Sequence, residues 1–331
     1  MKALVTGATG FLGGRLTQRL IEAGWDVTAL GRNVEAGHML AKIGARFLQA
    51  DLRSQEHVLA ACAGQDAVFH CGALSAAWGA YRSFYETNAA GTEHVLAGCR
   101  QHEVGRLIHV STPSVYFGAS DRLGVKESDV LPARQASAYA ATKRLAEAAV
   151  ERAAAAGLPA VMIRPRAIFG PGDTSILPRL IEANVRTGVP MIDKGRAIVD
   201  LTYVDNVVDA LLLCQSAPPH VLGRTYNITN GEPAVFSEAV SALFDKLGMR
   251  LKAKPIPFAA AYAAAAAMEL AAKVLPGEKE PMLTRAVVGM LGRSQTLDIG
   301  LARQDLGYSP RVTLDQGMDE FAAWWREQHG K

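Results

Sequence analysis

Short, uniformly apolar runs alternate with amphipathic stretches through the first half of the chain. Lys2–Thr6, Asp26–Leu30, Ala45–Gln49, Ala67–His70, Arg106–Ser111 and Pro159–Arg164 read as strands, and β-branched runs of this kind suit a sheet covered on both faces. Between the first two, Leu12, Leu16 and Leu20 recur at i, i+4 and lay one helical stripe on the sheet. Tyr85–Arg100 and Tyr139–Ala156 read as further crossover helices, the second stopping at Gly157 with Pro159 two residues on. The alternation predicts an α/β fold, a doubly wound parallel sheet of Rossmann type.

The second half is less regular. Gly170-Pro171-Gly172 precedes a helix around Ile176–Thr187, and a short return to the sheet runs from Val199 through Tyr226–Ile228. From Gly231 the chain reads as mostly helical, with turns at Lys254–Pro257 and Leu275–Pro281. This divides the chain into a cofactor-binding unit, 1–170 plus about 197–230, and a smaller, mostly helical substrate cap, about 171–196 plus 231–331.

Composition narrows the class. Hydrophobic residues are 49% and charged ones 20% of 331, which excludes a disordered chain. The 35 basic and 32 acidic side chains leave +3, so nothing in the charge calls for nucleic acid. Cys62, Cys71, Cys99 and Cys214 lack CxxC spacing; neither a metal site nor a disulfide framework is expected, and a reducing cytoplasm fits. The longest apolar stretch, Ile256 to Met268, is interrupted by Pro257 and ends before Glu269. That is short of the roughly 20 residues a membrane span needs, so no span is expected, and peripheral membrane contact stays open.

Chemistry enters at the first turn. Thr6-Gly7-Ala8-Thr9-Gly10-Phe11-Leu12-Gly13 follows a strand and opens a helix. Gly7 suits a tight turn, Gly10 a close approach of backbone to pyrophosphate, and Gly13 helix-to-strand packing. The helix N-terminus offers free N–H groups to phosphate oxygens. A dinucleotide is the expected ligand. At the end of the second strand stand Leu30-Gly31-Arg32-Asn33, with no carboxylate for a ribose 2′-OH and one guanidinium for a 2′-phosphate. NADP(H) is favoured and NAD(H) stays open.

Tyr139 and Lys143, spaced i, i+4 at a helix start, share one face. A free phenol titrates near about 10, and a neighbouring ammonium is expected to lower that value toward acid–base use.

With its two residues between the first glycines, the TGxxGxxG loop resembles that of short-chain dehydrogenases/reductases, and the chain is similar over nearly its whole length to their extended branch. The resemblance implies further roles. Asp51-Leu52 would contact the adenine and Cys71-Gly72-Ala73 would pass beneath the cofactor. Thr112, four residues before Tyr116, would be the catalytic hydroxyl beside Tyr139, with Ser111 and Ser114 as neighbours and Tyr116 as a pocket wall. Asn88 would hold the active-site lysine and its water. Pro165 and Ile168, in Arg164-Pro165-Arg166-Ala167-Ile168-Phe169, would pack on the nicotinamide. A homodimer through the helices at Tyr85–Arg100 and Tyr139–Ala156 is implied too.

The substrate branch turns on Ile198-Val199-Asp200-Leu201-Thr202-Tyr203. Nucleotide-sugar enzymes of the superfamily commonly carry Arg where Val199 stands. The stretch instead resembles the 3-beta-hydroxysteroid dehydrogenase/isomerase branch, near sterol-4-carboxylate 3-dehydrogenases and 2-alkyl-3-oxoalkanoate reductases. The expected enzyme interconverts a secondary alcohol and a ketone on a hydrophobic small molecule, a β-hydroxy/β-keto acid or a sterol-like compound. Tyr262, Met268, Leu270 and Leu275 are candidates to line a lipid-shaped pocket, and Arg166 and Arg179 to hold a carboxylate. A nucleotide-sugar epimerase or reductase is the alternative. A non-catalytic NADP-sensing regulator is another, weakened by the presence of the Tyr–Lys pair.

Overall fold

A computed structural model describes residues 1–118, 120–274 and 281–329. At its centre lie seven parallel strands: β1 (Lys2–Thr6), β2 (Asp26–Gly31), β3 (Arg46–Gln49), β4 (Ala67–His70), β5 (Arg106–Val110), β6 (Ala160–Pro165) and β7 (Thr225–Ile228). Their order is β7-β6-β5-β4-β1-β2-β3. The direction of winding reverses between β1 and β4, and ligands of such sheets bind at that crevice, beyond the carboxyl ends of the strands.

Alternation within each strand explains the two cores. Val5, Phe69, Ile108 and Ile163 bury one face with Leu16 and Leu20 of the first helix, Phe11–Glu22. Leu4, Val68, Leu107 and Met162 bury the other with Leu96, Cys99 and Val150. Each fully buried aliphatic side chain contributes about 1.5–3 kcal/mol. On the outer side of the first helix, Arg15 forks onto Asp205 at 2.6 and 2.7 Å, fastening it to the helix Val204–Ser216.

The second half departs from the sequence reading in two places. Only Thr225–Ile228 rejoins the main sheet; Ile198–Val199 belongs to a separate four-stranded sheet with Ala234–Val235, Gln295–Leu297 and Arg122–Val125. These pieces are two to four residues long, too short for any periodicity to register. Lys254–Pro257, read as a turn, lies largely in the strand Ala253–Ile256, which pairs in parallel with Val189–Ile192. The Ala-rich helix is present as Phe258–Val274, with Ala261 and Ala265 buried against Ile192 and Val288. The turn assigned to Leu275–Pro281 falls almost wholly outside the described residues. Among the described residues, no helix is long and apolar enough to cross a membrane.

Candidate active site

The strand ends carry the site. The glycine loop leaves β1 with Gly7 at φ +67°, where a Cβ would sit 2.6 Å from the Gly72 Cα; a Cβ on Gly13 would sit 2.3 Å from the Gly7 oxygen. Neither position tolerates a side chain, so loop, helix start and the β4 exit interlock. Thr6 Oγ1 accepts from Gly72 N at 3.2 Å and bonds His70 Nδ1 at 2.7 Å, while His70 Nε2 meets Thr92 Oγ1 at 3.0 Å. Burial holds His70 neutral, pulling its pKa down to about 3 with Lys143 adding to the effect. The bare backbone of Gly7, Thr9, Gly10, Phe11, Leu12 and Gly13 at a helix N-terminus is a cradle that fits a dinucleotide pyrophosphate.

Arg32 follows β2 and Asp51 follows β3. The Arg32 guanidinium, 65% exposed, comes to 3.8 Å from the Asp51 carboxylate. Asp51 accepts from Arg53 at 2.8 Å, and that bond holds its carboxyl below the usual range. A cleft of about 340 Å³ opens here, lined by Arg32, Gln49, Ala50, Asp51, Ser54 and His57. Ser54 and His57, bonded to each other at 2.9 Å, are donors the sequence reading passed over. Leu52 is buried, its carbonyl accepting from His94 Nδ1 at 2.8 Å. Past β4, Cys71, Gly72 and Ala73 lead to Leu74; burial pushes the Cys71 thiol up to about 12, so it stays protonated.

Asn88 sits in a π-helical turn, Tyr85–Ala90, that interrupts the predicted crossover helix between Tyr81–Phe84 and Gly91–Gln101. Such turns widen a helix by one residue and recur at functional sites. Here the turn aims Asn88 at the β4 exit. Leu74 N donates to Oδ1 at 2.7 Å, and Nδ2 donates to Leu74 O and Thr142 Oγ1, each at 3.1 Å.

Thr112, after β5, caps the short helical turn Pro113–Tyr116, accepting from Ser114 N at 3.1 Å and donating to Ser114 Oγ at 3.0 Å. It also stands against Tyr139. The half-buried phenol is raised above its ordinary value by burial, and the Thr112 hydroxyl pulls it back down. Lys143 does not do so, contrary to the expectation from spacing. Its Nζ donates to Val110 O at 2.8 Å and lies 3.3 Å from His109 Nε2. Burial lowers the Lys143 pKa to about 8, with Glu147 opposing the shift. Ser111 is spent on structure, donating to Glu147 at 2.6 Å.

Tyr116 is not a pocket wall. It is fully buried, its hydroxyl donating to Asn227 at 3.1 Å and accepting from Arg164. Arg164 in turn forks onto Glu147 at 2.7 and 2.8 Å, a buried bidentate pair that joins β6 to the helix Ala138–Ala155. Pro165 ends β6, and Ile168 opens the two-residue strand Ile168–Phe169, which pairs with Thr202–Tyr203. Val199 is buried with Phe169, Leu177 and Met191, so the position where an arginine was sought is apolar core. Tyr262, Met268 and Leu270 lie exposed on the cap helix rather than around an enclosed pocket, and Leu275 lies outside the described residues.

The model of the NAD dependent epimerase/dehydratase family matches residues 3–229. The chain belongs to that family. Among curated members, a 2-alkyl-3-oxoalkanoate reductase of Stenotrophomonas maltophilia is 38% identical over 98% of this chain and 99% of its own. The 4-hydroxy-2-methyl-3-oxo-4-farnesyl-3,4-dihydroquinoline-1-oxide ketoreductase of Stigmatella aurantiaca is 37% identical over 96% and 95%. Among solved structures, MoeE5 in complex with UDP-glucose and NAD superposes with a TM-score of 0.79 at 27% identity, covering 99% of each chain. The chain is therefore an enzyme, an oxidoreductase of this family that works with a nicotinamide dinucleotide.

Proposed function

We propose that the protein uses NADP(H) to interconvert a ketone and a secondary alcohol on an apolar substrate carrying a β-carboxylate. The observation that carries this reading is the grouping of Thr112, Tyr139 and Lys143 beside the glycine cradle, in a chain whose relatives act on a 3-oxoalkanoate and a farnesylated ketone. The bound nicotinamide supplies or accepts the hydride. Thr112, held by Ser114, orients the substrate oxygen. Tyr139 gives that oxygen its proton in reduction and takes it back in oxidation. Lys143, anchored on Val110, holds in place the strand end that carries Thr112 beside Tyr139. Asn88 fixes the Leu74 backbone and Thr142, and so the floor beneath Lys143.

NADP(H) over NAD(H) rests on Arg32, with Ser54 and His57 completing a cleft for a 2′-phosphate. The cap, about 171–196 plus 231–331, receives the apolar chain; the pairing of Val189–Ile192 with Ala253–Ile256 supports that division. A homodimer is proposed through the helices at Tyr85–Arg100 and Tyr139–Ala156, which expose Tyr85 and Leu145. Turnover of a 2-alkyl-3-hydroxyalkanoate with NADP⁺, followed at the NADPH absorbance, tests the activity. NADPH binding with no consumption across a broad ketone panel would favour the sensor reading instead.

A nucleotide-sugar reading is kept for one reason, the UDP-glucose bound by the MoeE5 neighbour. Val199 in apolar core argues against it. So does Arg285, whose guanidinium is held by Glu269 at 2.7 and 2.8 Å.

A further inference from the structure

Two neighbouring arginines leave the end of β6 in opposite electrostatic situations. Arg164 is neutralised by the Glu147 fork. Arg166, equally buried at 4% exposure, has no ion pair within 4 Å among the described residues. Its Nη1 donates to Gln295 Oε1 at 2.6 Å, and its Nε is buried with no partner. The guanidinium lies over the Phe117 ring, 4.9 Å from the centroid. Asp200 is buried nearby without touching it: Oδ2 accepts from Leu297 N at 2.7 Å, and Oδ1 is also unpartnered. A buried cation without a direct ion pair is costly; Asp200 offsets part of that cost from a longer range, and the Nε edge is left without a partner.

Its location is that of a ligand group. Val110 of β5 aligns with Ile163 of β6, and Ser111 N donates to Ile163 O at 2.7 Å. Two residues on from the Val110–Ile163 pair come Thr112 and Pro165, at the carboxyl ends of the two strands, and Arg166 is the next residue. Phe117 follows the turn that Thr112 caps. The backbone is also held in an unusual shape. Ala167, a non-glycine residue, adopts φ +44°, kept there by Thr202, which donates its N–H to Ala167 O at 3.1 Å and its hydroxyl to Arg166 O.

We propose that the unpartnered Nε edge of Arg166 receives the substrate carboxylate, setting the enzyme's preference for an acid over a neutral ketone or alcohol of the same chain. The inference rests on the β-carboxylate reading above and assigns the residue that enforces it. A carboxylate matches a side-on guanidinium edge with two parallel hydrogen bonds. A dianionic phosphate fits less well, because Asp200 already brings a carboxyl group close. Gln295 and Phe117 are positioning residues: one fixes the far side of the fork, the other supports its face.

The experiment compares kcat/KM for a 2-alkyl-3-hydroxyalkanoate and for its methyl ester, with NADP⁺, in wild type, Arg166→Gln and Arg166→Lys. Wild type should prefer the acid. Arg166→Gln should shrink the acid-to-ester ratio by about ten- to a hundredfold, the effect of one charge-assisted contact. Arg166→Lys, which keeps the charge but not the planar fork, should fall between. A ratio unchanged in both variants, whatever the fall in absolute rates, overturns the proposal and leaves the ketone–alcohol activity standing. If wild type converts neither acid nor ester, the β-carboxylate reading fails, and this assignment with it. Calorimetric titration with a saturated alkanoate gives a second readout where a variant turns over too slowly: wild type should bind it at least tenfold more tightly than Arg166→Gln does, and equal affinities would overturn the assignment.

Discussion

Lys143 Nζ donates to the Val110 carbonyl at 2.8 Å, tying the amine to the end of the strand that two residues later delivers Thr112. Position, rather than an adjacent charge on the phenol, is what this lysine contributes in the ligand-free arrangement. Tyr139→Phe should reduce turnover by about 10²–10⁴-fold while leaving NADPH affinity within a factor of about two, since only the proton-bearing hydroxyl is lost. Lys143→Met should lower both, on the proposal that this amine also contacts the bound cofactor. Steady-state rates together with NADPH fluorescence titrations separate the two. A Tyr139→Phe enzyme with wild-type rate would remove the phenol from the chemistry.

Arg32→Ala should weaken NADPH by about tenfold and NADH by less than about twofold, since Arg32 is largely exposed and water screens part of its contact. The converse design, an acid at Gly31, is a poor probe: a Cβ there would sit 2.3 Å from the Thr9 hydroxyl and disturb the glycine loop itself. Ser54→Ala and His57→Ala should shift the same preference in the same direction, measured as the ratio of dissociation constants. Equal losses for both cofactors in Arg32→Ala would place the 2′-phosphate elsewhere.

Glu147 neutralises Arg164, accepts from Ser111 and supports the charge on Lys143. Replacing it with Gln keeps the shape and strands a buried guanidinium. The expected loss is about 3–5 kcal/mol of stability, read as a lower urea midpoint with an unchanged slope. Among the described residues the other hydrogen-bond partners of this pair, Ser111, Arg144 and Tyr116, lie outside the cap, so the change should act on global unfolding rather than on substrate choice.

Much of this arrangement is legible in the chain, and what is not has physical reasons. The glycine loop, the strand ends and the Tyr139–Lys143 spacing are local patterns, so position along the sequence maps directly onto place in the fold. Arg164–Glu147 and Arg166–Gln295 are pairings 17 and 129 residues apart, and no periodicity reports them. The π-helical turn at Asn88 leaves the apolar stripe nearly intact and hides within an ordinary helix pattern. Tyr116 was expected at a pocket because its tripeptide sits beside Thr112; the turn capped by Thr112 swings it into the core. Tyr262, Met268 and Leu270 share an apolar helix with Ala261 and Ala265, and it is the alanines, small enough for close packing, that face inward.

Stability should fall as pH drops from about 6.5 toward 5. His70 and His109 are buried neutral, with pKa values depressed by burial, His70 to about 3. The unfolded chain takes up protons at its ordinary histidine value while the folded one does not, so stability is complete above about 6.5 and is lost with acid. Asp200 opposes this. Burial lifts its carboxyl to about 6, so the folded state holds an extra proton between about 4 and 6 and gains stability as pH falls through that range. Glu127, also raised by burial, acts in the same direction. Urea midpoints from pH 8 to 5 should therefore decline in wild type, and more steeply in Asp200→Asn. A flat profile in both would mean the histidines are not held neutral.

The substrate class follows from what meets the cap. A nucleotide diphosphate brings at least two negative charges and needs cations to receive them. Val199 is packed among Phe169, Leu177 and Met191, and Arg285 is engaged by Glu269. An alkyl chain asks only for apolar surface, worth roughly 25 cal/mol per Å² removed from water. Each added methylene that is buried should then improve kcat/KM by about threefold, until the chain outgrows its site. A series of 3-hydroxyalkanoates lengthened two carbons at a time, oxidised with NADP⁺, measures this slope, and UDP-glucose serves as the competing ligand in calorimetry. A flat chain-length series together with micromolar UDP-glucose binding would promote the nucleotide-sugar reading.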